Sequence, residues 1–220
     1  MFKSWERSLP AGVSVCSVQL PGRWSRMNEP PFTDIDSLID SLVQAIVLWL
    51  DRPFVFFGHS MGAMVAFELV HRLRADGRPL PKHLLVSGRR APQIPNDKLK
   101  LHTLPQDDLI RELRTLNGTP PELLADRSFM ALLLPVLRAD LAVCETYRYR
   151  PHVPLDIPIT AFGGADDCEV SLERLSAWRE QTLARFQQFI LPGDHFFIQS
   201  SEEALIPAIN REVSNILAVL

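Results

Sequence analysis

Five short apolar runs, "VSVCSVQL" (13–20), "FVFF" (54–57), "HLLVSG" (83–88), "PITAFGG" (158–164) and "FQQFILPG" (186–193), are separated over most of the chain by amphipathic stretches, and this alternation limits the possible folds more than any other feature. Runs of this length, rich in β-branched and aromatic residues and closed by Gly or Pro, read as strands. The stretches 34–50, 64–77, 171–186 and 201–220 carry most of their apolar residues at helical spacing. Strand, helix and strand in succession require a crossover, so an α/β fold is expected, with a mostly parallel sheet covered by helices on both faces. Residues 91–151 break the order: they hold several prolines, no convincing strand, and helical segments near 106–116, 120–126 and 128–149. An insertion at the carboxyl ends of parallel strands stands above the ligand crevice, so 91–151 is expected to be a helical lid within one domain spanning 1–220.

Composition narrows the partners. With 220 residues, 46% hydrophobic and 22% charged, the chain is long enough to bury one sizeable core. A net charge of -3 supplies no basic stripe for nucleic acid, and no run of eighteen apolar residues is long enough for a membrane helix. The amino terminus "MFKSWERSLP" lacks the apolar core of a signal peptide. Cys16, Cys144 and Cys168 form neither a CxxC pair nor a metal-ligand spacing, and their odd number argues against a disulfide framework. The expectation is a cytoplasmic monomer acting on a small, soluble partner, without metal or cofactor.

The strand at 54–57 runs directly into Gly58-His59-Ser60-Met61-Gly62 and then into a helical pattern. That is G-x-S-x-G in the strand–turn–helix context the motif requires. The serine must turn sharply into a strained conformation, and glycines two residues to either side are expected to remove collisions with the neighbouring backbone. At the helix amino terminus, Ser60 would have main-chain N–H groups, that of Met61 first, beside a developing oxyanion. A serine hydroxyl needs a base, and the base needs an orienting acid. In α/β-hydrolases these partners follow in the order Ser, Asp or Glu, His, the acid in a loop after a later strand. Among the six histidines, His59 lies inside the elbow and is expected to point away from Ser60, His71 lies within a helix and His83 begins a strand. His102 and His152 fall in or beside the lid; only His195 follows a strand in a polar turn, anchored by Phe196, Phe197 and Ile198. For the acid, Asp166 and Asp167 both follow Gly163-Gly164; Asp194 is expected to shape the turn before His195, and Asp156 lies at the wrong end of its strand.

Taken together, "FFGHSMGAMVAFEL", "LPVLRADLAVCETYRYRP", "ITAFGGADDCEV", "LPGDHFFI" and the early "SVQLPGR" resemble the type II thioesterases of nonribosomal peptide and polyketide synthesis over nearly the whole chain. The lid phrase discriminates, because elbow and histidine turn alone fit any α/β-hydrolase. In that family the acid stands in G-G-x-x-D-x-x-V, which Gly163, Gly164, Asp167 and Val170 fill, so the resemblance implies Asp167. It further implies hydrolysis of acyl thioesters from the phosphopantetheine arm of a carrier protein, clearing misprimed or stalled synthases, with Ser60, Asp167 and His195 as the triad and Met61 in the oxyanion hole. A general carboxylesterase and a noncatalytic carrier-binding remnant are the competing readings. Members of the family open with an apolar strand and a Pro-Tyr-Ala-Gly-Gly-like loop that supplies a second oxyanion donor; neither is found here, so the first family strand is expected to be missing. Either an in-frame start upstream of Met1 or a truncated, impaired form is expected.

Overall fold

The computed structural model describes residues 2–97, 99–115, 118 and 120–219. In chain order its elements are α1 (Ile35–Ile46), β1 (Phe56–His59), α2 (Met61–Ala75), β2 (Leu84–Ser87), α3 (Gln106–Thr115), α4 (Pro121–Ala125), α5 (Arg127–Thr146), β3 (Ile159–Gly164), α6 (Leu172–Ser176), β4 (Phe186–Leu191), α7 (Phe197–Ser200) and α8 (Glu202–Leu217), with short 3-10 helices such as Phe2–Ser8 between them. The four strands form one sheet in the order β1-β2-β3-β4, every neighbouring pair parallel. An all-parallel sheet flanked by helices fits the α/β-hydrolase fold.

The chain divides into two compact units. One comprises Met1–Val18, Trp49–Ile94 and His152–Leu220 and contains the sheet. Register partners in adjacent strands share a face, so Phe57, His59, Leu85, Ser87, Phe162 and Phe189 look to one side. On that side Leu85 and Phe162 pack with Trp5 of the first 3-10 helix, Phe197 of α7 and Leu205, Ile209 and Val213 of α8. The opposite side carries small residues where helices approach: a Cβ on Gly58 would lie 2.1 Å from the carbonyl oxygen of Gly62 in α2, and one on Gly163 would lie 2.6 Å from Leu175 of α6.

The second unit joins Gln19–Leu48 to Pro95–Pro151. Asp34 caps α1, accepting from Ser37 N–H at 2.8 Å, and Asp126 caps α5, accepting from Ser128 and Phe129. These caps satisfy amides that no helix carbonyl can reach. Leu109, Leu113, Leu124, Met130 and Leu134 form this unit's core. Buried Glu145 receives the main-chain N–H groups of Leu101 and His102 and pairs with the His102 ring. Residue 116, where the third helical pattern was expected to end, is outside the described residues, and α3 stops at Thr115.

Two expectations give way. The run 13–20 forms no strand among the described residues: Val13 and Val15 turn alternately inward onto the sheet's core while Cys16, Ser17 and Val18 are exposed, so an alternating pattern is satisfied by one-sided packing without a ladder. The pattern at 171–186 yields only the five residues of α6, then a 3-10 helix, Ala177–Gln181. There Gln93 donates to the carbonyl of Ala177 and accepts from Gln181, while Trp178 donates to the carbonyl of Arg89, and these tertiary bonds accompany the tighter winding.

The two motif glycines also differ. Gly58 is required by the close approach of Gly62, but a Cβ on Gly62 itself would meet nothing within 4 Å. The collision expected at both positions therefore exists at one. Replacing Gly58 with alanine is expected to cost about 3 kcal/mol or more, because the obstacle is backbone, and to lower the melting temperature by about 6–12 °C. Gly62→Ala should melt near the parent; equal losses in the two variants, read by calorimetry, would contradict this account.

Candidate active site

The site stands at the carboxyl ends of β1, β3 and β4, where loops leave a parallel sheet and ligands bind. Ser60 is the residue between β1 and α2, with φ +53 and ψ -115, a conformation sparsely populated by non-glycine residues. Its own N–H donates to the carbonyl of Ser87 at 2.7 Å, which pins the elbow to the end of β2. Its side chain does not cap α2 and instead meets a histidine: Ser60 Oγ lies 3.1 Å from His195 Nε2. The other ring nitrogen, Nδ1, lies 2.9 Å from Asp167 Oδ2. Sequence distances of 135 and 28 residues thus close into one hydrogen-bonded chain.

Backbone contacts between two loops bring this about. Gly164 ends β3 where a Cβ would lie 2.4 Å from the carbonyl oxygens of both Gly193 and Asp194, so the acid loop and the histidine turn touch main chain to main chain. Ala165 N–H donates to Leu191 and Asp166 N–H to Gly193. Gly193 adopts φ +109, the left-handed region open to glycine, and starts the turn. Asp194 accepts from Phe196 N–H at 2.8 Å and so shapes that turn, as its position in the sequence suggested. Phe197 and Ile198 are buried behind His195, and the Phe196 ring meets the imidazole edge-on.

Of the two adjacent carboxylates, Asp166 is exposed, whereas the Asp167 side chain is wholly buried. Asp167 Oδ1 accepts from the N–H groups of Glu169 and Val170, leaving Oδ2 for the imidazole. Burial pushes the Asp167 carboxyl upward, but the bond to His195, its charge and the two main-chain donors outweigh burial and hold it below the ordinary carboxylate value. The stabilisation this gives is present above the unfolded value near pH 4 and is lost as the pH falls through the lower native one. Met61 is the first residue of α2, a position whose N–H points out of the helix, where the positive end of its dipole adds to its pull on an anion.

Histidines that the sequence set aside occupy other surroundings. His71 is buried in α2 and stacks on His152 with centroids 4.2 Å apart; burial first, then the neighbouring His152 and Arg74, push it down to about 3. His83 bonds Thr160 at 2.9 Å. His59 lies beside the base: its ring centroid is 5.1 Å from that of the His195 ring. Sequence reasoning missed Ser87 as part of the site, and only strand register could have pointed to it. Among the described residues no group of three or more His, Cys, Asp or Glu side chains is placed to hold a metal ion, and no helix is long and apolar enough to cross a membrane.

Comparison with known proteins adds to this geometry. Residues 1–213 match the thioesterase domain family. The chain is 44% identical over 217 residues to the gramicidin S biosynthesis protein GrsT of Aneurinibacillus migulanus, covering 99% of this chain and 85% of that protein. It superposes on RedJ, a thioesterase from the prodiginine biosynthetic pathway in Streptomyces coelicolor, with a TM-score of 0.90 and 39% identity, covering 96% of this chain and 84% of that one. YbtT, a type II thioesterase from the yersiniabactin NRPS/PKS biosynthetic pathway, superposes with a TM-score of 0.82 and 31% identity, covering 96% and 86%.

Proposed function

This chain belongs to the thioesterase domain family, and on that premise we infer that it is a type II thioesterase, hydrolysing acyl thioesters from the phosphopantetheine arm of carrier proteins and so clearing misprimed or stalled synthases. The observation that carries the reading is the relay of 3.1 Å from Ser60 to His195 and 2.9 Å from His195 to Asp167, within a chain matched over nearly its whole length by thioesterases.

In the proposed reaction Ser60 Oγ attacks the thioester carbonyl carbon while its proton passes to His195 Nε2. The carbonyl oxygen becomes an oxyanion facing the Met61 N–H, and Asp167 holds the imidazolium. Collapse breaks the C–S bond, and the departing pantetheine sulfur takes the proton from His195. Water then attacks the acyl-serine, His195 removes its proton, and the returning proton restores Ser60 as the acid leaves. Within this proposal the segment 91–151 acts as a lid that admits a thin pantetheine chain, its mobility controlling access. Selectivity among acyl chains should be broad, since each methylene in an apolar pocket discriminates by only about 1–3 kcal/mol.

The test compares an acyl-pantetheine on its carrier protein with a p-nitrophenyl ester, together with fluorophosphonate labelling. The expected result is hydrolysis of the carrier-bound thioester, and labelling of the parent but not of Ser60→Ala. Preference for the free ester with no turnover on the carrier would make the chain a general carboxylesterase. Carrier binding that survives Ser60→Ala, with no labelled serine in the parent, would make it a noncatalytic binding module.

A further inference from the structure

A second histidine is built into the site. Alternation along β1 puts His59 on the sheet face opposite α2, the same face as its register partner Ser87 in β2. That pairing brings His59 Nδ1 to 2.9 Å from Ser87 Oγ, and Ser87 is wholly buried. Room for the ring is made by the next residue: Gly88 takes φ +57, and a Cβ there would lie 2.5 Å from His59 Cε1. The imidazole fills that space and meets two residues of the histidine turn, His195 at 5.1 Å between centroids with planes tilted by 49°, and Phe197 at 5.7 Å nearly edge-on. Its remaining nitrogen, Nε2, is buried and, among the described residues, makes no well-formed hydrogen bond. Burial first, then the positive charge of a protonated His195, push His59 down to about 4, opposed by Asp167 and by the main chain of His195, so the ring is neutral at neutral pH.

We propose that His59 is a positioning residue for His195, an imidazole locked by Ser87 and Gly88 against which the base rests while it exchanges protons with Ser60. The inference rests on the reading of His195 as the general base. Asp167 fixes the base from the side of Nδ1, and the turn fixes its main chain, but the ring of His195 also needs a wall that keeps Nε2 aimed at Ser60 Oγ. His59 supplies that wall, and Ser87 ties it to the strand whose carbonyl already holds the Ser60 amide. In the tautomer the proposal assigns, the Ser87 hydroxyl donates to Nδ1 and the ring proton sits on Nε2, turned toward the main chain of His195. Neutrality matters because a charged ring at this distance would oppose the imidazolium that forms on His195 in each half of the reaction.

A displacement of about 1 Å at a reacting group can cost about a hundredfold in rate, which sets the scale of the expected effects. The readout is the second-order rate of Ser60 modification by a fluorophosphonate, which needs the serine–histidine pair but no thioester, followed by kcat and KM on the carrier-bound substrate. His59→Ala, which removes both wall and anchor, should slow labelling about a hundredfold; His59→Phe, which keeps the wall, about tenfold. His59→Asn, able to keep a polar atom near Ser87 Oγ, should recover part of the loss relative to alanine, and it keeps the test available should the alanine variant fold poorly. Turnover should fall through kcat with KM within about twofold, because no substrate contact is removed. Ser87→Ala should slow labelling by about as much as His59→Phe, and the double variant should be no slower than the slower single one, since both break one linkage. Parent-like labelling in the phenylalanine and alanine variants, or losses that multiply in the double variant, would overturn the proposal. A parent that labels at Ser60 but does not hydrolyse the carrier-bound thioester would sink the thioesterase reading alone, and the labelling rates would still decide the role of His59. A parent that does not label at Ser60 would remove both.

Discussion

His195→Ala is expected to lower kcat on a carrier-bound acyl thioester by about four powers of ten or more, with the melting temperature near that of the parent. In the proposed mechanism both half-reactions route a proton through Nε2: acylation takes it from Ser60 Oγ, 3.1 Å away, and deacylation takes it from water. Without the imidazole the serine hydroxyl remains protonated, and only electrostatic stabilisation and binding persist. Because triad members act as a unit, Ser60→Ala should cost about as much, and the double variant no more than either single one. Steady-state turnover with single-turnover acyl-enzyme trapping makes the measurement. A His195→Ala enzyme within tenfold of the parent would exclude the histidine as base.

The second large effect separates two adjacent carboxylates. Asp167→Asn should reduce kcat by about 10⁴-fold, and Asp166→Asn by less than about threefold. The amide at position 167 would offer a donor where His195 Nδ1–H now finds an acceptor at 2.9 Å. The ring would then hold its proton on Nε2, where it must receive one from Ser60. Asp166 contributes its main-chain N–H to Gly193 and is exposed, so its loss leaves the relay intact. Comparable losses in the two variants would remove Asp167 from its assigned role.

Much of this site was legible in the chain because its chemistry is written in local context. Ser60 was identified by the strand before it, the helix after it and the glycines around it, and His195 by a polar turn followed by buried apolar residues. Asp167 was not settled by neighbours, since Asp166 has the same ones; only the resemblance chose between them. The structure supplies the physical difference, a wholly buried side chain with two main-chain donors on one oxygen and the imidazole on the other. Periodicity misled at 13–20, where alternation marks one-sided packing without pairing. It misled also at 171–186, where bonds from Gln93 and Trp178 accompany the short α6 and the tighter turn that follows it. His59 is the plainest case of tertiary information. The sequence placed it inside the elbow, pointing away from Ser60, but could not show its neighbour, because contact with His195 depends on how the turn after β4 folds back across the sheet.

The sequence by itself determined that strands and helices alternate into a parallel sheet, and it singled out Ser60 and His195 as the candidate nucleophile and base, because these follow from periodicity and from turns spanning a few residues. Only the tertiary structure showed that Asp167 is buried against the histidine while Asp166 stays exposed, why Gly164 cannot carry a side chain, and that His59 rests against His195. Those facts depend on approaches of a few ångströms between segments far apart in the chain, and such distances are set by strand register and close packing, which no local pattern encodes.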